Sequence, residues 1–371
     1  MFIRQFAYSF MILLVVALAM LFPEAFVQWG NFKTSSLIVP LLQVIMFGMG
    51  TAMSLDDFKG VIRMPKGVLV GLLCQFSIMP FIGFGLATLF GFEPAIAAGM
   101  ILVGAAPSGL ASNVMSYLAK AHLALSITLT AVATLLAPLV TPGYMSFLGG
   151  QFIEVDFWNM VWNTVQMVIL PVIGGLMFHH IAYHPEPKGG RNVVLVNLGI
   201  TVVLSLMIYG LGWEATALHE AWWLSLILSI VLALAWLLKT YASQVEKVMP
   251  FVSMAGIAFI IVVITANGRD KLLEVGLLLI IACLIHNLLG YMLGFSLARL
   301  FRMDTLSSRT ISLEVGMQNS GLASGLAAQM NQLGTLGLAP AIFGPMMNIT
   351  GSILAMWWRN RPVEKPPEAA E

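Results

Sequence analysis

Apolar runs long enough to cross a bilayer follow one another along nearly the whole chain, separated by short breaks rich in charge, Pro or Gly. A helix crossing the hydrocarbon core takes about 20 apolar residues, with a range of roughly 17–25. The runs lie near 6–22, 35–53, 67–90, 95–119, 123–148, 160–182, 193–212, 220–238, 249–267, 275–299, 310–330 and 335–358, which makes twelve expected spans. Hydrophobic residues make up 59% of the chain and charged ones 9%, too few to cover a water-facing surface, so lipid must cover most of it. The expected fold class is therefore an all-α polytopic membrane protein. It forms a single membrane domain over 1–358, with a disordered cytoplasmic tail over 359–371. The first run follows Arg4 and contains Ala17-Leu18-Ala19, as a cleaved signal would. Its length and the charge distribution favour a retained span.

With twelve spans, fifteen of the eighteen Lys and Arg residues fall on the side of the two termini. Only Lys33, Arg269 and Lys271 fall on the other, so both termini are expected to be cytoplasmic. A net charge of +1 excludes the concentrated basic face that a nucleic acid would need. Cys74 and Cys283 sit in apolar runs and imply neither a disulfide framework nor a metal site. No HExxH, phosphate loop or Gly-x-Ser-x-Gly elbow is present, so no enzyme is expected. Ser, His and Glu within the membrane keep an intramembrane hydrolase as a distant alternative, which would need a nucleophile, a base and an orienting group in hydrogen-bond reach.

The chain also repeats itself. Val103–Ser112 matches Val315–Ser324 at seven of ten positions, at an offset of 212. Gly83–Ala87 matches Gly294–Ala298 at 211, and Pro40 matches Pro250 at 210. The fourth and eleventh spans are thus related. Seven spans separate them, an odd number, so the copies insert with opposite orientation. Inverted repeats of this kind characterise secondary transporters, whose sites lie at the repeat interface near mid-membrane. The expected repeats are about 6–149 and about 160–358, five helices each, with two additional spans. These are placed at 193–238, although the repeat offset alone would put them at 160–212.

Pro107-Ser108-Gly109 and Asn319-Ser320-Gly321 interrupt the two related spans near their middles, and each is expected to separate two half-helices. Irregular backbone at that depth belongs inside protein or beside a watery cavity. Its freed carbonyls suit a cation, and the half-helix N-termini suit an anion. Around the breaks lie Ser112, Asn113, Ser116, Ser126, Thr128, Thr130, Thr134, Gln318 and Asn319, with Gln75, His286, Asn287 and Asn348 completing the set. Ser126 and Thr130 share one helix face, as do Glu314 and Gln318. An acid at mid-span costs about 2.5–3.5 kcal/mol, so Glu314 is expected to have a function and a partner. The plainer alternative is an interfacial Glu314 paired with Arg309. One carboxylate among hydroxyl, amide and backbone oxygens suits a hard cation. His286 reads as a packed hydrogen-bonding residue rather than a metal ligand.

The stretch from Asn113 through Leu125 to Thr141-Pro142, and the motif Glu314-Val-Gly-Met-Gln-Asn-Ser-Gly-Leu-Ala323, resemble the bile acid:sodium symporter family. The similarity covers most of the chain, including Leu170-Pro171 and His286-Asn287. It implies a ten-helix fold with a panel domain and a core domain, in which two discontinuous helices cross. It further implies a bacterial cell-membrane location, two sodium ions, and uptake of an organic anion, bile-acid-like or a small carboxylate, by alternating access. Carried over residue by residue, the first sodium site falls on Ser112, Asn113, Ser126, Thr130 and Glu314. The second falls on Gln75, Glu314, Gln318 and the carbonyls of Val315 and Met317. Substrate contacts are expected at Leu110, Ala111, Asn319 and Ser320, with His286, Asn287 and Asn348 nearby. Proton coupling through Glu314 is the alternative within transport. Two departures stand out: Leu110 occupies a position where bacterial relatives often carry a hydroxyl, and Ser108 replaces a glycine common in the family's Pro-Gly-Gly turn.

Overall fold

The computed structural model describes residues 2–183, 195, 198–203, 205–206, 242–361 and 363. Its long helices, in chain order, are α1 (Phe2–Leu21), α2 (Ile38–Thr51), α3 (Pro65–Phe90), α4 (Pro94–Ala105), α5 (Leu110–Leu118), α6 (Leu123–Phe147), α7 (Phe157–Thr164), α8 (Leu170–Tyr183), α9 (Ala242–Asn267), α10 (Arg269–Leu300), α11 (Thr305–Gly316), α12 (Ser320–Gln329) and α13 (Leu338–Arg359). Among the described residues, seven segments are helical, long and apolar enough to span a bilayer: Thr34–Thr51, Pro65–Phe90, Leu123–Gln151, Phe157–Ala182, Lys247–Asn267, Arg269–Leu300 and Leu338–Arg359. The first apolar run, 6–22, is helical as far as Leu21, the end of α1. The expected spans at 193–212 and 220–238, and the tail beyond 363, lie largely outside the described residues.

One element departs from an all-helical reading. Gln28–Trp29 and Phe32–Lys33 pair as two short antiparallel strands. Gly30 between them has φ +60°, and a Gly-Asn loop is a recognised hairpin signal.

The chain divides into two compact units. One comprises Gln43–Leu55 and Leu170–Met254. There, glycines let helices touch backbone to backbone: a Cβ on Gly50 would stand 2.2 Å from the Val172 carbonyl, and one on Gly175 2.1 Å from that of Phe47. Phe178, Ile181 and Ala182 form its apolar cluster, with the rings of Phe47 and Phe178 meeting edge to face.

The other unit comprises Met1–Leu42, Asp56–Ile169 and Ala255–Glu371. Pro65 and Pro94 open α3 and α4 at the position where a missing N–H costs nothing, and Gly91 closes α3 in the left-handed conformation. Residues 96–105 of α4 are buried on every side, as an apolar helix without a polar face requires. It packs along α3 through Gly83, where a Cβ would stand 2.6 Å from the Met100 carbonyl. Gly294, the sequence match of Gly83, lets α10 lie against α11, where a Cβ would be 3.1 Å from the Ser312 Cα.

Both interrupted spans are split. Helix α4 ends at Ala105 and α5 begins at Leu110, while α11 ends at Gly316 and α12 begins at Ser320. The second break covers Met317–Asn319, slightly ahead of the expected Asn319-Ser320-Gly321. The reason is the cap: Asn319 Oδ1 accepts the Leu322 N–H at 3.0 Å, so the helix already resumes at Ser320.

Candidate functional site

The two breaks satisfy each other. Gly109 N–H donates to the Met317 carbonyl at 3.3 Å, and Asn319 N–H donates to that of Pro107 at 2.7 Å. Ser108 and Gln318 face each other across this antiparallel bridge. Backbone groups that an intact helix would have consumed are thereby paired in the protein interior. Side-chain amides meet the ends of the first half-helices in both halves. Gln75 Nε2 donates to the Ala106 carbonyl at 3.3 Å, and Asn287 Nδ2 to the Gly316 carbonyl at 2.7 Å. Thr141 adds its hydroxyl to the Ala105 carbonyl at 2.8 Å.

Beside this crossing lies Glu314, 1% exposed and in the last turn of α11. The negative end of the helix dipole disfavours a carboxylate there. Four hydroxyls from the facing elements compensate. Ser112 and Ser126 donate to Oε1 at 2.7 and 2.5 Å; Ser108 and Thr130 donate to Oε2 at 2.5 and 3.0 Å. Asn113 Oδ1 lies 2.8 Å from the Ser126 hydroxyl and 3.2 Å from that of Thr130, an alternative acceptor for the one proton of each. The i, i+4 spacing of Ser126 and Thr130 puts both on the face of α6 turned to Glu314. Arg309 turns elsewhere: its guanidinium donates to the carbonyls of Trp358 and Arg361 at the end of α13. No Arg309–Glu314 ion pair occurs among the described residues, which removes that alternative.

A second oxygen cluster adjoins the first. Gln75 Nε2 donates to Gln318 Oε1 at 2.8 Å, and Gln318 Nε2 to the Val315 carbonyl at 2.6 Å. Gln75 Oε1 is buried and has no hydrogen-bond partner among the described residues. The Met317 carbonyl faces Gly109 across the bridge.

The residues expected to meet a substrate divide into two groups. Leu110 and Ala111 are half-buried at the N-terminus of α5, and Asn319 and Ser320 stand at that of α12. The other three are engaged elsewhere. His286 is fully buried, with Nε2 on the Met79 carbonyl at 2.9 Å and its ring edge-to-face on Phe343. Asn287, also fully buried, is held between Gly316 and the Thr350 hydroxyl, which donates to it at 2.6 Å. Asn348 donates to the Gly344 carbonyl of its own helix at 3.0 Å. Thr134 likewise bonds to its own helix, as does Thr128, which also reaches the Asp57 carbonyl. Sequence reasoning missed Ser108 as a Glu314 partner, and with it Thr141 and Thr350. Their only advance signal was proximity to a break or to an amide on a neighbouring span.

A cavity of about 720 Å³ opens at the far end of α12, lined by Gln28, Lys33, Ser36, Asn267, Gln329 and Asn331 among others. Lys33 is the charged residue of that lining.

A profile of the Sodium Bile acid symporter family matches residues 39–218. Over 355 residues the chain is 33% identical to the uncharacterized sodium-dependent transporter YocS of Bacillus subtilis, covering 95% of this chain and 91% of that protein. The chain belongs to the sodium bile acid symporter family. Two further relatives are more distant. The probable sodium/metabolite cotransporter BASS1 of Arabidopsis thaliana chloroplasts is 31% identical over 89% of this chain and 68% of its own length. The ileal sodium/bile acid cotransporter of Oryctolagus cuniculus is 29% identical over 78% and 68%. Membership in this symporter family, together with the seven apolar spanning segments, makes the chain an integral membrane protein. The profile match includes Gln75, the first break, Ser112, Asn113, Ser126 and Thr130.

Proposed function

We propose that this chain is a secondary active transporter that couples sodium entry to the symport of an organic anion by alternating access. The observation that carries the proposal is Glu314: a buried carboxylate, facing four hydroxyls, beside two broken helices. It brings one negative charge, and no group of three His, Cys, Asp or Glu side chains suited to a metal occurs among the described residues. One carboxylate with neutral oxygens balances a monovalent hard cation, whereas divalent ions draw on more charge.

Two sodium positions fit the donors. The first draws on Glu314, Ser112, Asn113, Ser126 and Thr130. The second draws on Gln75, Glu314, Gln318 and the carbonyls of Val315 and Met317, where the unpartnered Gln75 Oε1 is an oxygen free to meet an ion. The N-termini of α5 and α12 at Leu110, Ala111, Asn319 and Ser320 supply partial positive charge for the anion. Leu110 has no hydroxyl, so recognition there rests on backbone N–H groups. The twelve-residue helices α4 and α11, each followed by a break and a shorter helix, support an inverted repeat. The distribution of Lys and Arg supports cytoplasmic termini.

The test is uptake of radiolabelled organic acids, bile acids and small carboxylates among them, into proteoliposomes. Uptake should require an inward sodium gradient and vanish in Glu314→Ala. Equal uptake with choline in place of sodium, or uptake that follows a proton gradient instead, would reassign the coupling ion.

A further inference from the structure

We propose that Ser108 supplies a further side-chain oxygen to the cation held at Glu314, and that it ties the two ion positions together. The inference rests on the sodium-coupled reading above. It begins with the place of Ser108 in the chain. The residue lies in the non-helical stretch between α4 and α5 and is 1% exposed. Its hydroxyl stands 2.5 Å from Glu314 Oε2, the carboxylate oxygen that also receives Thr130. With Ser112 and Ser126 on Oε1, Ser108 completes a pair of hydroxyls on each oxygen.

The backbone explains why this position reaches both clusters. The bonds of the bridge run from Gly109 to Met317 and from Asn319 to Pro107, flanking Ser108 and Gln318 rather than joining them. In an antiparallel ladder such a pair is the close kind, with Cα atoms about 4.5 Å apart and side chains on the same side. Gln318 holds Gln75 and the Val315 carbonyl, and Ser108 holds Glu314. One residue pair thus joins the hydroxyl cluster to the amide cluster.

A hydroxyl has one proton and two acceptor lone pairs. Without an ion, Ser108 donates its proton to the carboxylate. A cation taken up against Oε2 displaces that bond and meets the hydroxyl oxygen, which is already in place. Glycine at this position offers no oxygen, so the resemblance's Pro-Gly-Gly turn and this chain's Pro107-Ser108-Gly109 should bind the ion with different strength.

The test uses the purified full-length protein, titrated with sodium chloride at constant ionic strength against choline chloride. Sodium-dependent thermal stabilisation is the readout, which needs no organic substrate. In Ser108→Gly and Ser108→Ala, the sodium concentration for half-maximal stabilisation should rise roughly tenfold, the scale of one lost contact to a charged group. Ser108→Thr, which keeps the hydroxyl, should stay within about threefold of the wild type. Half-maximal concentrations within about twofold of the wild type in both the Gly and Ala variants would overturn the role of Ser108 while leaving sodium coupling standing. A wild-type protein indifferent to sodium would overturn both.

Discussion

Glu314 illustrates how a buried carboxyl is held where no Lys, Arg or His pairs with it among the described residues. Its four hydroxyl partners come from the first break, α5 and α6; if the carboxylate goes, Ser112 keeps the Gly109 carbonyl, and Ser126 and Thr130 keep Asn113 Oδ1, but Ser108 loses its acceptor. An unsatisfied buried donor costs about 1–3 kcal/mol. Glu314→Ala also removes the one charge of the proposed cation site and should lower sodium-dependent uptake by at least roughly 100-fold, about 2.7 kcal/mol, to the level of empty vesicles, and Glu314→Gln by a comparable factor, because an amide carries no charge and its nitrogen cannot accept. Thr134→Ala is the control: that hydroxyl bonds to the Thr130 carbonyl of its own helix, and sodium activation should stay within about twofold of the wild type. Uptake measured against sodium concentration checks all three. The gathering of Glu314, Ser112, Ser126 and Thr130 was legible in the sequence because helical spacing and a costly mid-span acid point the same way. The inward turn of Asn287 to Gly316 was not, since spacing along a helix does not say which neighbour a side chain meets.

At the scale of the element, the broken spans depend on caps. Asn319 Oδ1 holds the first turn of α12, and Asn319→Ala should destabilise the protein by about 1 kcal/mol, while Asn319→Asp keeps the cap. Melting temperature in detergent measures the difference. Helix α11 begins the same way, with Asp304 Oδ1 accepting the Ser307 N–H at 3.0 Å. Partial burial pushes the Asp304 carboxyl up, but hydrogen bonds from Ser307 and the Leu306 backbone outweigh it and hold its pKa below the ordinary 3.8. A depressed carboxyl stabilises the fold above its unfolded pKa and loses that contribution as pH falls through the folded value. Asp304→Asn and the wild type should therefore differ in melting temperature near pH 6 and draw together as pH falls through the depressed folded value of Asp304; a gap independent of pH would contradict the cap's charge. Breaks were foreseeable from Pro107-Ser108-Gly109 and Asn319-Ser320-Gly321 because Pro, Gly and capping residues act locally. Their limits were less so: where α12 restarts is set by the Asn319 cap and by pairing with the other break, a contact between residues some 210 positions apart.

Across the whole molecule, long apolar stretches made the membrane-spanning class readable. A two-residue strand pairing at Gln28–Lys33 is too short to register in such a pattern. One arrangement occurs twice: glycines at 83 and 294 bring α3 to α4 and α10 to α11, and the second helix of each pair stops after twelve residues at a break. Those breaks meet next to Glu314, the one buried carboxylate among the described residues. Under the proposed function, such a device changes its electrostatics by taking up one cation, and the helix N-termini at the same crossing meet the anion. Entry of sodium-22 into proteoliposomes, followed with and without an external organic acid that the protein accumulates, reads that coupling directly. Sodium-22 entry should rise when the acid is added to wild-type vesicles and show no rise in Glu314→Ala vesicles. Entry that ignores the acid, or a rise that survives the loss of Glu314, would contradict sodium coupling at this site.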